Sequence, residues 1–343
     1  MSKRFRNGEE GLFQKLKWAI YSFRSKIHHK IFSKFKRKKS NMSTKRRNET
    51  AFICVVLALP MFIFAVFYVG VNIQCIAMAF QKYDGLTGKY TWATNPWENF
   101  SDFFTMLKEE EFMRYAAINS FALFFLAMFV NLPLHLINAY YVYKRYLFHK
   151  LFRLLLFFPS ILSNVITVTL FKYFLLYGLN TIYSAFGWGE APNLLYSAGT
   201  GFQTTMAYSV WVGFGGGIIM FLGLMNRISP SILEAAALDG VKPMQEFRYI
   251  IFPLIFPTIS VYIVENIATL FSAQGSLFTF YGRNARKEFY TFGYYYYVSV
   301  LGESGVAKYP MAAASGLIFT AVVAPVTLIA RKIFDKLNPT TDM

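Results

Sequence analysis

The sequence predicts an all-α, polytopic membrane protein with six transmembrane helices and a basic amphipathic N-terminal extension. Three observations carry that expectation. Of 343 residues, 55% are hydrophobic and only 15% charged, too apolar for an ordinary soluble domain. Six apolar runs can be drawn, at about 51–79, 116–141, 152–176, 203–225, 250–272 and 311–330, each near the roughly 20 residues a helix needs to cross the hydrocarbon core. Lysine and arginine gather in alternate connections between those runs. Lipid offers backbone groups no partner, so helix is the default for such segments.

Residues 1–50 form the extension. Leu12, Leu16, Ile20, Phe23, Ile27, Ile31 and Phe35 recur every three or four residues, with Lys15, Lys17, Arg24, Lys26, Lys30 and Lys34 on the other faces. This pattern suits a helix lying in the membrane interface. The segment holds 16 Lys and Arg against 3 Glu, a net +13 of the formal +17. Membrane spans follow it directly, so anionic membrane lipid, not nucleic acid, is the expected partner. The basic region is too long for a cleaved signal peptide, and no short apolar core with a small-residue site follows. The alternative is a disordered basic tail that only sets topology.

The transmembrane domain runs over 51–335, with a tail at 336–343. The extension, Lys144, Arg145, Lys150 and Arg153 after the second span, Arg227, Lys242 and Arg248 after the fourth, and Arg331, Lys332 and Lys336 at the end all fall on one side of a six-span chain. That side is the cytoplasm, and both termini face it. The connections on the other side, about 80–115, 177–202 and 273–310, are longer. They carry Trp92, Trp97, Trp188, Tyr281, Tyr290 and the run Tyr294 to Tyr297. These aromatics read as an interfacial belt or as rings that stack on the apolar faces of sugars. Small residues from Ala312 to Gly316 let the last span approach its neighbours closely.

Polar groups inside a span are costly unless they face protein or a watery path. Glu265 and Asn266 are placed about midway through the fifth span, with Gln274 just beyond it, and are read as lining a path for a neutral solute. Interhelical hydrogen bonds are the equal alternative. Asn119, Asn131, Asn138, Asn164, Tyr208 and Trp211 are weaker candidates of the same kind, more often packing glue than ligands. The glycines at 213, 215, 216 and 217 make the fourth span locally unstable and suggest close packing or a break. His135 reads as a satisfied packing histidine. Cys54 and Cys75 have no metal or redox spacing. The chain contains no GxxxxGK[ST] loop and no catalytic constellation, so no enzyme and no bound cofactor are expected in it.

The most informative stretch is 229–257. Ser229-Pro230 suits a helix start, Ile232 to Leu238 are mostly helix formers, and Gly240 suits a helix stop. Pro243 opens a second helix whose apolar face is Met244, Phe247, Ile250 and Ile251. Pro253 and Pro257 are expected to bend or interrupt the chain beyond it. Glu234-Ala235-Ala236, Asp239-Gly240, Phe247, Ile250, Pro253 and Pro257 resemble the cytoplasmic "EAA" loop of ABC importer permeases, in the register of the sugar-permease branch. Phe252 stands where the family usually has Leu, and Lys242-Pro243 where a small Ser-type cap is common. The likeness covers roughly 51–335.

The resemblance implies the type I ABC importer permease fold in a bacterial inner membrane. It implies a second homologous permease subunit, a cytoplasmic ATPase dimer that binds ATP and Mg, and a periplasmic or extracellular solute-binding protein. It places Glu234, Ala235, Ala236, Asp239 and Gly240 at the ATPase contact. Oligosaccharide or another sugar is the expected cargo; amino-sugar, glycerophosphodiester and peptide-like cargo are the alternatives within the class. The rivals from other classes are a six-span secondary transporter or channel, which needs intramembrane ion-handling charges or an inverted repeat, and a membrane scaffold or signalling protein whose basic tail is the working part.

Overall fold

The computed structural model describes residues 44–302 and 305–338. The amphipathic helix expected in the extension therefore lies outside the described residues, apart from the basic residues just before the first span. Two units are distinguished, residues 1–72 and 73–343, and each is described by itself.

In the first unit, helix Thr44–Ile63 continues through a wide turn, Phe64–Gly70, into Val71–Met78, which runs on into the second. Every side chain described from Glu49 to Asn72 is exposed, among them Phe52, Val55, Leu59, Phe62 and Phe67. A helix apolar all round suits lipid as its solvent.

The second unit holds most of the membrane domain. Long apolar helices run over Glu111–Tyr143, Asn164–Ala185, Gly201–Met225, Pro243–Ala268 and Val306–Leu337. With Glu49–Met78 they make the six expected spans; we number them spans 1 to 6 in chain order, Glu49–Met78 being span 1. The span expected at about 152–176 is corrected. The chain there forms two helices, His149–Ile161 and Asn164–Ala185, with Leu162 and Ser163 extended between them. Pro159 removes a backbone donor near the end of the first helix. Ser163 then caps the second, its Oγ accepting from the Ile166 N–H at 3.4 Å. Of the close packing or break expected at the glycines of span 4, the break does not occur; that helix is continuous.

The glycines instead let neighbours in. Gly213 and Gly217, one turn apart, face span 2, and a Cβ on Gly217 would overlap the His135 ring. Gly215 points the other way, where a Cβ would overlap Ser160 of the broken span. Gly216 meets open space.

Of the bend or interruption expected at Pro253 and Pro257, the interruption does not occur. Span 5 runs unbroken from Pro243 to Ala268. A wide turn at Phe247–Ile251 ends two residues before Pro253, and another at Ala127–Asn131 ends two residues before Pro133. A proline ring collides with the carbonyl four residues back, and widening that turn relieves the collision without ending the helix.

Spans 2, 4 and 5 share one apolar core. Leu132, Leu136 and Ala139 meet Phe221 and Met225 and then Ile251, Ile255 and Ile259. The spacings of three and four put each set on one helix face. A second core gathers Phe202, Leu277, Ala285, Phe289 and Tyr294 at the other end of the spans. There Asn119 Nδ2 donates to the Glu288 and Tyr290 carbonyls at 2.8 and 2.9 Å, and Ser120 Oγ accepts from the Phe292 N–H at 3.1 Å. Asn119 is thus packing glue.

Among the described residues the all-α expectation has one exception, a hairpin of β1 (Gln81–Asp84) and β2 (Lys89–Trp92) paired from Gln81↔Trp92 to Asp84↔Lys89. Asp84 closes its turn, accepting from the Leu86 N–H at 2.9 Å and from Thr87 Oγ1 at 2.7 Å. Asn99 on helix Glu98–Glu109 fastens the strand entry through the Ala79 and Gln81 carbonyls, both at 2.8 Å.

Two glycine substitutions separate packing from propensity. Gly217→Ala forces His135 aside and is expected to cost about 1–3 kcal/mol by overpacking. Gly216→Ala, in open space, is expected to be neutral or to stabilise by up to about 1 kcal/mol through helix propensity. Thermal unfolding of the detergent-solubilised chain checks both; equal shifts would contradict the packing assignment.

Candidate functional site

The site begins with the hairpin between spans 4 and 5. Helix Pro230–Leu238 starts with Ser229 extended at the N-cap and Pro230 in the first turn. The Ser229 side chain does not cap it; its hydroxyl pairs with Ser231 Oγ at 2.8 Å. The helix stops as the sequence predicts. Gly240 has φ +70°, its N–H donates to Ala237 O at 3.1 Å, and the Val241 N–H reaches back to Ala236 O at 3.1 Å. Those two bonds are a Schellman closure, which requires the left-handed conformation glycine tolerates. The return helix opens at Pro243, with the Lys242 N–H donating to Gln245 Oε1 at 2.9 Å. Lys242 at this cap is therefore served by the glutamine three residues on.

This hairpin is exposed at its tip and fixed at its root. Glu234, Ala235, Asp239 and Gly240 are exposed, Ala236 is buried, and Leu238 is 89% exposed. Of the apolar face expected on the return helix, Ile251 is buried and Phe247 packs on the core, but Met244 is 75% exposed. Met244 shares the outer surface with Leu238 because Glu246 takes the inward position. Glu246 is buried and pairs with Lys144 at the end of span 2, Nζ to Oε2 at 2.9 Å and to Oε1 at 3.1 Å. One turn earlier, Tyr140 donates its hydroxyl to Pro243 O at 2.8 Å and packs its ring on Phe247. Sequence reasoning missed this clamp, since its two halves lie 102 residues apart.

The expected path residues fall into two groups. Asn164, Tyr208 and Trp211 come together at the break in the third span. Tyr208 is buried and donates its hydroxyl to Asn164 Oδ1 at 2.9 Å, with Thr167 Oγ1 at 3.1 Å. Asn164 Nδ2 reaches Thr279 Oγ1 at 3.1 Å. Trp211 stacks with Phe171. These groups bind the broken span to span 4 and to helix Leu277–Tyr281.

Glu265 and Asn266 form the second group with Gln274. They are not midway through the span but in the last turn of helix Phe252–Ala268. The helix begins nearer the hairpin than hydropathy suggests, because the polar turn around Glu246 is already helical. Glu265 is exposed, and Asn266 donates to Tyr262 O at 2.8 Å. Gln274 Oε1 is buried with no hydrogen-bond partner. Beside this end lies a cavity of about 710 Å³ between spans 5 and 6, where the Tyr296 and Thr327 hydroxyls are also buried and unpartnered. Of the tyrosine run, Tyr294 is buried and donates to Gly282 O at 2.8 Å, and Tyr297 is exposed.

His135 packs as expected against the span 4 glycines but is not satisfied. Neither ring nitrogen, nor Asn131 Oδ1 one turn away, has a hydrogen-bond partner. Two polar residues four apart in an apolar run were the available signal. Among the described residues no group of His, Cys, Asp and Glu has the geometry of a metal site.

No protein-family model matches the chain. It is 26% identical over 228 residues to the multiple sugar-binding transport system permease protein MsmF of Streptococcus mutans, covering 66% of this chain and 76% of that protein. It is 27% identical over 122 residues to the probable starch degradation products transport system permease protein AmyD of Thermoanaerobacterium thermosulfurigenes, of which the match covers 42%. Its fold matches a chain of a solved bacterial ABC transporter that imports the acidic polysaccharide alginate, with a TM-score of 0.68, 21% identity, and 84% of this chain and 96% of that chain covered. The chain is thus similar in sequence to permease subunits of sugar ABC importers and shares the fold of an importer chain. The permease is a multi-pass membrane subunit. Its fold also matches, with a TM-score of 0.69, 19% identity, and 86% of this chain and 98% of that chain covered, the alginate transporter solved in complex with an alginate pentasaccharide-bound periplasmic protein.

The clamp has a measurable worth. Glu246→Gln leaves Lys144, whose side chain is 30% exposed, without its counter-charge. The expected loss lies between the roughly 0–1 kcal/mol of an exposed pair and the about 3–5 kcal/mol of breaking a buried one. Replacing both residues by Met is expected to recover much of that loss. A double-mutant cycle on thermal unfolding checks this; strictly additive losses would show no coupling between the two side chains.

Proposed function

We propose that the permease forms half of a substrate path with a second, homologous permease, and that helix Pro230–Leu238 docks on a cytoplasmic ATPase. The observation that carries the docking reading is a short helix exposing Leu238 and Ile232 beside Glu234 while its root is clamped to span 2. Exposed apolar side chains on a rigid polar-side projection suit a protein partner. Glu234, Ala235, Ala236, Asp239 and Gly240 form the contact and its turn. ATP and Mg belong to the partner subunit. Closure of the ATPase dimer pulls the two hairpins together, and the clamp passes that motion to spans 2 and 5. The alternating states then open the path first to one side and then to the other.

The cargo is proposed to be a carbohydrate, delivered by a solute-binding protein, with both permease termini cytoplasmic in a bacterial inner membrane. The names of the relatives support this, and so does the chemistry at the outer end of span 5. Glu265, Asn266 and Gln274 lie there beside a largely apolar cavity bearing unpartnered hydroxyls, and a sugar ring needs both kinds of surface. The half-buried Tyr296 ring, which lines that cavity, is the proposed stacking platform.

Gly240→Pro cannot keep φ at +70°, and Glu234→Lys reverses the charge of the docking helix. Each is expected to abolish uptake while membrane insertion stays at the parental level. Wild-type uptake in either variant would reject the coupling role. For the cargo, ATP hydrolysis by the reconstituted complex is expected to rise with the binding protein loaded with a glycan and not with a peptide.

A further inference from the structure

We propose that the cavity lined by Arg145, His149, Lys150 and Arg153 is a binding site for the headgroup of an anionic phospholipid. The site is not part of the coupling hairpin but lies beside its root, next to Lys144 and at Asn226. Its volume is about 920 Å³, between the end of span 2, helix His149–Ile161 and the end of span 4. Its charge is unbalanced. Among the described residues no carboxylate lines it, and none of Arg145, Lys150 and Arg153 makes an ion pair. The neighbouring Lys144 is already matched by Glu246. Three uncompensated cations around one concavity repel each other, and an anion seated among them removes that repulsion.

The backbone is held in an unusual form to build this arrangement. Arg145 and Phe148 have φ of 53° and 57°, a region that bulky side chains rarely occupy. They bound the tight reversal that brings Arg145 onto the same cavity as Lys150 and Arg153. Strain of this kind concentrates where a local geometry has a task.

The rest of the lining names the ligand class. Leu154, Phe157 and Leu222 supply an apolar wall. Beyond it the same helix exposes Leu151, Leu155, Phe158 and Ile161, each more than half exposed. A free phosphate would satisfy the cations and leave that wall bare. A phospholipid places its phosphate among the cations and its acyl chains along the apolar stripe. The site lies at the span ends where the basic connections collect, the side on which anionic lipids attract basic pockets.

The test uses the full importer complex in nanodiscs of phosphatidylcholine with a minor fraction of phosphatidylglycerol, with retained lipid counted by native mass spectrometry. The parental complex is expected to retain phosphatidylglycerol preferentially. Arg145→Gln, Lys150→Gln and Arg153→Gln together are expected to reduce that preference about tenfold or more. The same three-cation removal at the end of span 6, through Arg331→Gln, Lys332→Gln and Lys336→Gln, is expected to leave it intact. Phe157→Ala keeps every cation and their influence on topology, and is expected to weaken retention by removing apolar wall. Equal retention in all four complexes overturns the proposal. So does displacement of the lipid by inorganic phosphate, which would reveal a simple anion site. Retention seen only after the ATPase is stripped away would make the cavity a protein-docking surface and overturn it as well.

Discussion

The clamp between Lys144 and Glu246 is the contact on which the hairpin's geometry depends. It joins residues that fall at the ends of two different spans, and it turns a flexible connection into a fixed projection. Tyr140 reinforces it from the same helix face, bonding to the Pro243 carbonyl at the start of span 5. Ile251, Ile255 and Ile259 then continue the attachment into the shared core. A buried carboxylate needs such a partner, since removing it from water without one is costly. Burying Glu246 therefore selects the register in which span 5 meets span 2. That register also leaves Met244 and Leu238 outside.

Packing in the membrane follows a second constraint. Lipid does not drive helices together as water does, so close approach depends on small residues and on polar contacts. Span 4 uses glycine on two opposite sides, toward His135 and toward Ser160. Each glycine weakens the helix by roughly 0.5–1 kcal/mol relative to alanine, yet the helix stays whole because its neighbours fill both grooves. The third span breaks instead. Its unpaired backbone is served by Ser163, and the break is tied by Asn164 to Tyr208, Thr167 and the outer helix.

The spans and the hairpin were legible in the sequence, because hydropathy over some 20 residues and the Gly240 stop are local signals. The breaks were less so. Four glycines within five residues, at 213, 215, 216 and 217, looked like a weak point, but a glycine's cost can be offset by packing that no local window contains. The two wide turns were hidden for a related reason: proline announces a collision without saying whether the helix ends or widens. Glu265 drew attention as a carboxylate in an apolar run, while nothing in the sequence singled out Glu246. The structure reverses their roles. Burial was set by where span 5 begins, and its first turn is polar in sequence. The strand pair at Gln81–Asp84 and Lys89–Trp92 was visible only as the turn signal at Asp84-Gly85.

The two ends of the second unit are therefore built on different principles. Near the hairpin, one ion pair, one tyrosine bond and a dry aliphatic core make a rigid block. Near the opposite end, side chains bond to loop carbonyls: Asn119 to Glu288 and Tyr290, Tyr281 to Leu195, and Tyr294 to Gly282. The Tyr296 hydroxyl and the Gln274 amide oxygen remain unpartnered there. An unpaired buried polar group is costly in a dry interior, and His135 and Asn131 in span 2 carry the same cost beside the aliphatic core. In the proposed coupling, the clamped block at the hairpin carries motion to spans 2 and 5, and the cavity beside Tyr296 meets the cargo. The motion applied at the root must arrive undiminished, while the residues that meet the cargo must be free to exchange one partner for another.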